Sequence, residues 1–113
     1  MKQANISLHI KQIDQFTFTS AVTVYCGEQR LIVDVFTFEN SHAIYAAYKT
    51  LMRVLYRLKR RDDVGAVTIE TNLPQLVEEL GGKLNVNTRL YNLLKQVLNE
   101  TEIEITGVKL RQA

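Results

Sequence analysis

Between Phe38 and Ile44 the hydrophobic period of this chain changes from two to between three and four, and that switch limits the possible folds more than any other feature. Before it, apolar residues alternate with polar ones. Ile6, Leu8 and Ile10 interleave with Ser7, His9 and Lys11, the pattern of a strand with one buried face, which predicts a first strand ending near Ile13. Phe16 to Cys26 is rich in β-branched and aromatic residues, Gly27 and Glu28 mark a turn, and Leu31 to Phe38 resumes as a third strand. After Asn40 and Ser41, either of which suits a helix cap, Ile44, Tyr48, Leu51, Leu55 and Leu58 predict a helix of about twenty residues.

Asp62, Asp63 and Gly65 end that helix, and Ala66 to Thr71 alternates again as a fourth strand. Asn72 is placed to cap a short helix with Pro74 in its first turn and an apolar stripe of Leu73, Leu76, Val77 and Leu80, stopped by Gly81 and Gly82. Leu90, Leu93, Leu94, Val97 and Leu98 form a last helical stripe behind Thr88, and Ile103 and Ile105 begin a closing strand before a turn at Gly107. The order is β-β-β-α-β-α-α-β. Three sequential strands form a meander, and a crossover through the long helix sets the fourth strand parallel to one of them. The result is an α/β fold with a mixed five-stranded sheet covered by helices. No linker or repeat divides residues 1–113, so one domain is expected.

Composition narrows the class. A chain of 113 residues can bury roughly two-thirds of its unfolded surface without staples. Its single cysteine, Cys26, has no internal partner and reads as a strand-end residue of a protein in a reducing compartment. The opening residues lack the apolar run of a signal peptide, and nowhere do about 18 consecutive apolar residues suggest a membrane span, so the expected location is the cytosol. His9 and His42 are far apart with no Cys or His at ligand spacing, and there is no glycine-rich phosphate loop; no metal or other cofactor is expected.

The net charge of +2 is mild, so its distribution matters more than its total. On the long helix, with Ile44 at zero and about 100° per residue, the apolar stripe stays within about 40° of zero while Lys49, Arg53, Arg57 and Arg60 lie roughly 140–220° away. Lys59 and Arg61 extend the ridge, which holds six cations and no acid between Lys49 and Arg61. A ridge of this kind suits phosphates, although any amphipathic helix also needs a solvated face. Tyr45, Tyr48 and Tyr56 read as core and boundary residues, and Tyr25 and Phe36 as aromatics on an exposed sheet face, where a protein partner or second copy could dock.

The stretch from Asn40 to Leu94 resembles the ribonuclease H family. Asn40, Ser41, His42, Ala43, Ile44, Tyr45, Ala46, Ala47 and Tyr48 match its helix-entry pattern, and Thr71, Asn72, Leu73, Pro74, Gln75, Leu76 and Val77 match the end of its fourth strand with one residue inserted. The run from Gly82 to Leu90 resembles a third motif. The resemblance implies a nuclease holding two divalent ions about 4 Å apart on four carboxylates. Carried over by position, the helix glutamate falls on Ile44 and the fourth-strand aspartate on Asn72. Asp14 is the one acid near the end of the first strand, and it could still meet Glu70 in a one-metal remnant; Asp34 reads as the solvent side of a strand whose Val33 and Val35 face inward. The family's terminal helix has no counterpart in Val108 to Gln112.

The resemblance therefore implies a ribonuclease H-like domain with degenerate acid positions. It is expected to bind nucleic acid or a nucleic-acid-handling protein through Lys49, Arg53, Arg57, Lys59, Arg60 and Arg61. The alternatives are a protein-interaction module or homodimer with no nucleic-acid affinity, and a weak metal-dependent nuclease on Asp14 and Glu70. The small size would fit an accessory protein of a phage or mobile element.

Overall fold

The structure is a computed structural model and describes residues 2–82 and 89–111. Its elements follow the predicted order: β1 (Lys2–Asp14), β2 (Thr17–Cys26), β3 (Gln29–Phe38), α1 (Ala43–Asp62), β4 (Val64–Thr71), α2 (Pro74–Leu80), α3 (Arg89–Thr101) and β5 (Glu104–Leu110). The Gly82 to Leu90 motif and the cap at Thr88 fall largely outside the described residues. No described helix is long and apolar enough to cross a membrane.

The five strands form one sheet in the order β3-β2-β1-β4-β5. β1 pairs antiparallel with β2 and β2 with β3, while β4 runs parallel to β1 and β5 parallel to β4. The meander and the crossover are thus as expected. Gly27, at φ 62°, makes the tight β2–β3 hairpin, a left-handed conformation that costs glycine little. Gly107 is not a turn: β5 runs straight through it to Leu110, with a register shift opposite Val67 and Thr68. Glycine marks irregularities within a strand as well as turns, and here it sits at the register shift.

The helix boundaries are capped differently from expectation. α1 starts from His42 with no side-chain cap; Asn40 instead takes the left-handed conformation (φ 51°) that turns the chain out of β3. The backbone N of Ser41 donates to the carbonyl of Phe16, tying this turn to the start of β2. α2 is capped by Leu73 rather than Asn72, with Pro74 in its first turn.

Ala4, Ile6 and Leu8 of β1, Val22 and Val24 of β2, and Val67 and Ile69 of β4 are buried beneath Tyr48, Leu51, Leu55 and Leu58 of α1 and Leu94 of α3. The buried arc of α1 also takes in Ala46, Ala47 and Val54, so it is centred to one side of Ile44, which is only half-buried. The opposite sheet face, with Ser7, His9, Thr23, Thr68 and Glu70, has no buried residue among those described. Val33 and Val35 lie on that open face, 58% and 60% exposed, while Asp34 and Phe36 sit on the helix side, correcting the expected orientation of β3. Tyr25 does reach the open face; Phe36 instead packs against the core, with the Arg53 guanidinium 5.1 Å over its ring.

Candidate nucleic-acid interface

Where β4 leaves the sheet, its ladder with β1 ends at Leu8 opposite Thr71, and the next side chain takes over. Asn72 Oδ1 accepts from the backbone N of Ile10 and its Nδ2 donates to the Ile10 carbonyl, both at 2.8 Å. The amide thus acts as one more peptide unit of the parallel ladder, satisfying a donor and an acceptor of buried Ile10 that the strand no longer reaches. An aspartate could accept from the N–H but would set a carboxylate oxygen against the carbonyl. Asn72→Asp should therefore lower the unfolding free energy by about 1–3 kcal/mol at neutral pH in a urea titration, whereas an unchanged midpoint would show that the clasp contributes nothing.

The other acid positions do not assemble a cation site. Ile44 packs against the core. Asp14 Oδ1 accepts from the backbone N of Phe16 at 3.1 Å, closing the β1–β2 turn. Glu70 lies opposite Ser7 in the β1–β4 register, seven residues and about 20 Å along the strand from Asp14, so the two cannot share a metal. Glu70 is instead ion-paired with Lys109 (3.1 Å) and Arg111 (3.4 Å) across the β4–β5 edge. Among the described residues no cluster of three or more His, Cys, Asp or Glu could hold a metal. The divalent ions implied by the resemblance therefore do not fit these residues.

The cations of α1 are placed differently. Arg53, Arg60 and Arg61 are exposed and Lys49, Arg57 and Lys59 half-buried, their stems lying along the helix surface. None of the six forms an ion pair among the described residues, whose only salt bridges are those of Glu70. Lys59, Arg60 and Arg61 occupy the last turn, where they also complement the helix dipole.

The three tyrosines of α1 divide between core and boundary. Tyr48 is buried, but Tyr45 is 39% and Tyr56 47% exposed, flanking a groove of about 580 Å³ between α1 and α3. Lys49 Nζ lies 5.5 Å over the Tyr45 ring, and Phe38 meets that ring edge-on at 6.4 Å. The Tyr56 hydroxyl donates to Glu100 Oε2 at 2.6 Å, and this bond to a carboxylate holds the phenol above its usual pKa. The spacing of Tyr45, Lys49, Arg53 and Tyr56, successive steps of four, four and three, was the available signal for this stripe.

An antiparallel meander, a parallel extension from β1 through β4 to β5, and helices on the sheet define a ribonuclease H-like fold. The N-terminal RNase H domain of a Mycobacterium tuberculosis protein, solved as a maltose-binding-protein fusion, superposes with TM-score 0.79 at 11% identity over 98% of this chain and 88% of that one. LC11-RNase H1 in complex with an RNA/DNA hybrid gives 0.76 at 14% identity over 94% and 85%. RNase H1 from the archaeon Halobacterium salinarum gives 0.69 at 11% identity over 95% and 86%. At such identities the likeness is one of fold. No protein-family model matches the sequence, and no curated protein matches it.

Proposed function

We propose that this chain is a non-catalytic ribonuclease H-like domain that binds nucleic acid through the outer face of α1. The observation that carries the reading is the run of six α1 cations, Lys49, Arg53, Arg57, Lys59, Arg60 and Arg61, with no ion-pair partner among the described residues. Positive charge left uncompensated on one helix costs self-repulsion, which a phosphate backbone relieves while releasing counterions. The absence of cutting is supported by Ile44 and by an Asn72 amide whose two ends are both engaged by Ile10. A solved relative of the fold bound to an RNA/DNA hybrid makes nucleic acid a natural ligand class for the frame.

The test is a fluorescence-anisotropy titration against single-stranded DNA, duplex DNA, RNA and hybrid between about 50 and about 200 mM salt. Affinity should fall steeply with salt, and every strand should stay intact when magnesium or manganese is added. Salt-independent binding, no binding, or cleavage would overturn the proposal.

A second reading, a protein-interaction module or homodimer, rests on Val33 and Val35, the most exposed large apolar side chains of the fold's open face. The β3 edge itself is less suited to strand addition. Asp34 Oδ1 accepts from the backbone N of Val35 at 2.9 Å and sets a carboxylate on the outermost strand, a common way of blunting an edge.

A further inference from the structure

Resting on the nucleic-acid reading above, we infer that the α1–α3 groove is a binding site for single-stranded nucleic acid, with bases stacking on Tyr45 and Tyr56 and phosphates tracking Lys49 and Arg53. Tyr45 and Tyr56 are eleven residues apart, three turns of α1, so they share one azimuth about 16 Å apart along the helix. Lys49 and Arg53 lie between them on the same stripe. The trough does not end at Tyr45: a second hollow of about 370 Å³ shares Tyr45 and Lys49 with it and adds Arg89 at the start of α3. The result is a channel with aromatic faces inside and cations along the α1 lip, the combination that holds single strands without reading their sequence.

At the Tyr56 end the two lips differ in sign. Glu100 on the α3 side is engaged by the Tyr56 hydroxyl and lies 3.4 Å from Gln96 Nε2. Those contacts tie the Tyr56 hydroxyl to α3 and place a carboxylate where a second phosphate track would run. One backbone therefore fits and two do not, which favours a single strand over a duplex. The Lys49 ammonium lies over the Tyr45 ring, where a base can take its place while Lys49 turns to a phosphate.

The experiment compares oligothymidylate, an abasic strand of equal length and a duplex, by anisotropy, on the wild-type chain and on Tyr45→Leu, Tyr56→Leu, Tyr56→Phe and Arg53→Glu, each checked for folding by circular dichroism. The wild-type chain should bind oligothymidylate roughly tenfold or more tighter than the abasic strand. Each leucine variant should lose most of that difference without weakening abasic binding, while Tyr56→Phe keeps it. Arg53→Glu should weaken binding of both strands. Equal affinity for the two strands in the wild-type chain, or leucine variants that bind oligothymidylate normally, would overturn the stacking site while leaving the basic-face reading intact. Arg53→Glu with unchanged affinity for every probe would overturn both.

Discussion

Tyr48→Phe is expected to lower the unfolding free energy by about 3 kcal/mol and the melting temperature by roughly 10 °C. The Tyr48 hydroxyl donates at 2.7 Å to Glu79 Oε1, and Gln75 Nε2 donates at 2.8 Å to the other oxygen of the same carboxylate. Glu79 is only 3% exposed, so removing one of its two donors leaves a buried charge half-satisfied. Changing both members to apolar residues, Tyr48→Phe with Glu79→Met, should recover much of the loss, because neither polar group is then left orphaned.

The same pair sets a pH dependence. Burial first, and then the bond to Glu79, hold the Tyr48 phenol far above its usual value of about 10. Above that pH the unfolded chain loses the proton and the native one keeps it. The unfolded state then binds fewer protons, and stability falls as pH rises; below about pH 10 this contribution is constant. Alkaline unfolding followed by circular dichroism should be steeper above about pH 10 for the wild-type chain than for Tyr48→Phe.

Arg53→Glu with Arg57→Glu is expected to weaken binding of every nucleic acid by at least about tenfold at low salt and to flatten the log–log salt slope by about 1.5–2. Two phosphate contacts are lost and two repulsions take their place. The fold should survive: Arg53 is exposed, and its contact with the Phe36 ring is a surface one of modest worth. The anisotropy titration reads this directly, and a double variant that binds with wild-type affinity and slope would remove α1 from the interface.

The element order was legible because the period switch at Ile44 is strong, and the meander and crossover follow from it by connection rules. The faces of β3 were not. Leu31 to Phe38 is apolar at both parities, so nothing local says whether Val33 and Val35 or Phe36 and Phe38 lie under the helices. The role of Asn72 depends on a strand 62 residues away, and an Asn before Leu73-Pro74 reads equally well as a cap. Glu79 was missed for a similar reason: an acid on a short helix looks solvated until Tyr48, from another element, is seen to reach it. The basic ridge was readable since helical azimuth needs no tertiary partner. The channel was not, because its other wall is α3.

On the proposed function, nucleic acid meets α1 rather than the end of the β1–β4 ladder. Amide chemical-shift mapping of the isotopically labelled chain, titrated with a single-stranded oligonucleotide, separates the two surfaces. Shifts should gather on Tyr45 to Arg61 and on the facing turns of α3, with Ser7 to Ile10 and Asn72 undisturbed; shifts centred on Ile10 and Asn72, with α1 silent, would overturn the proposal.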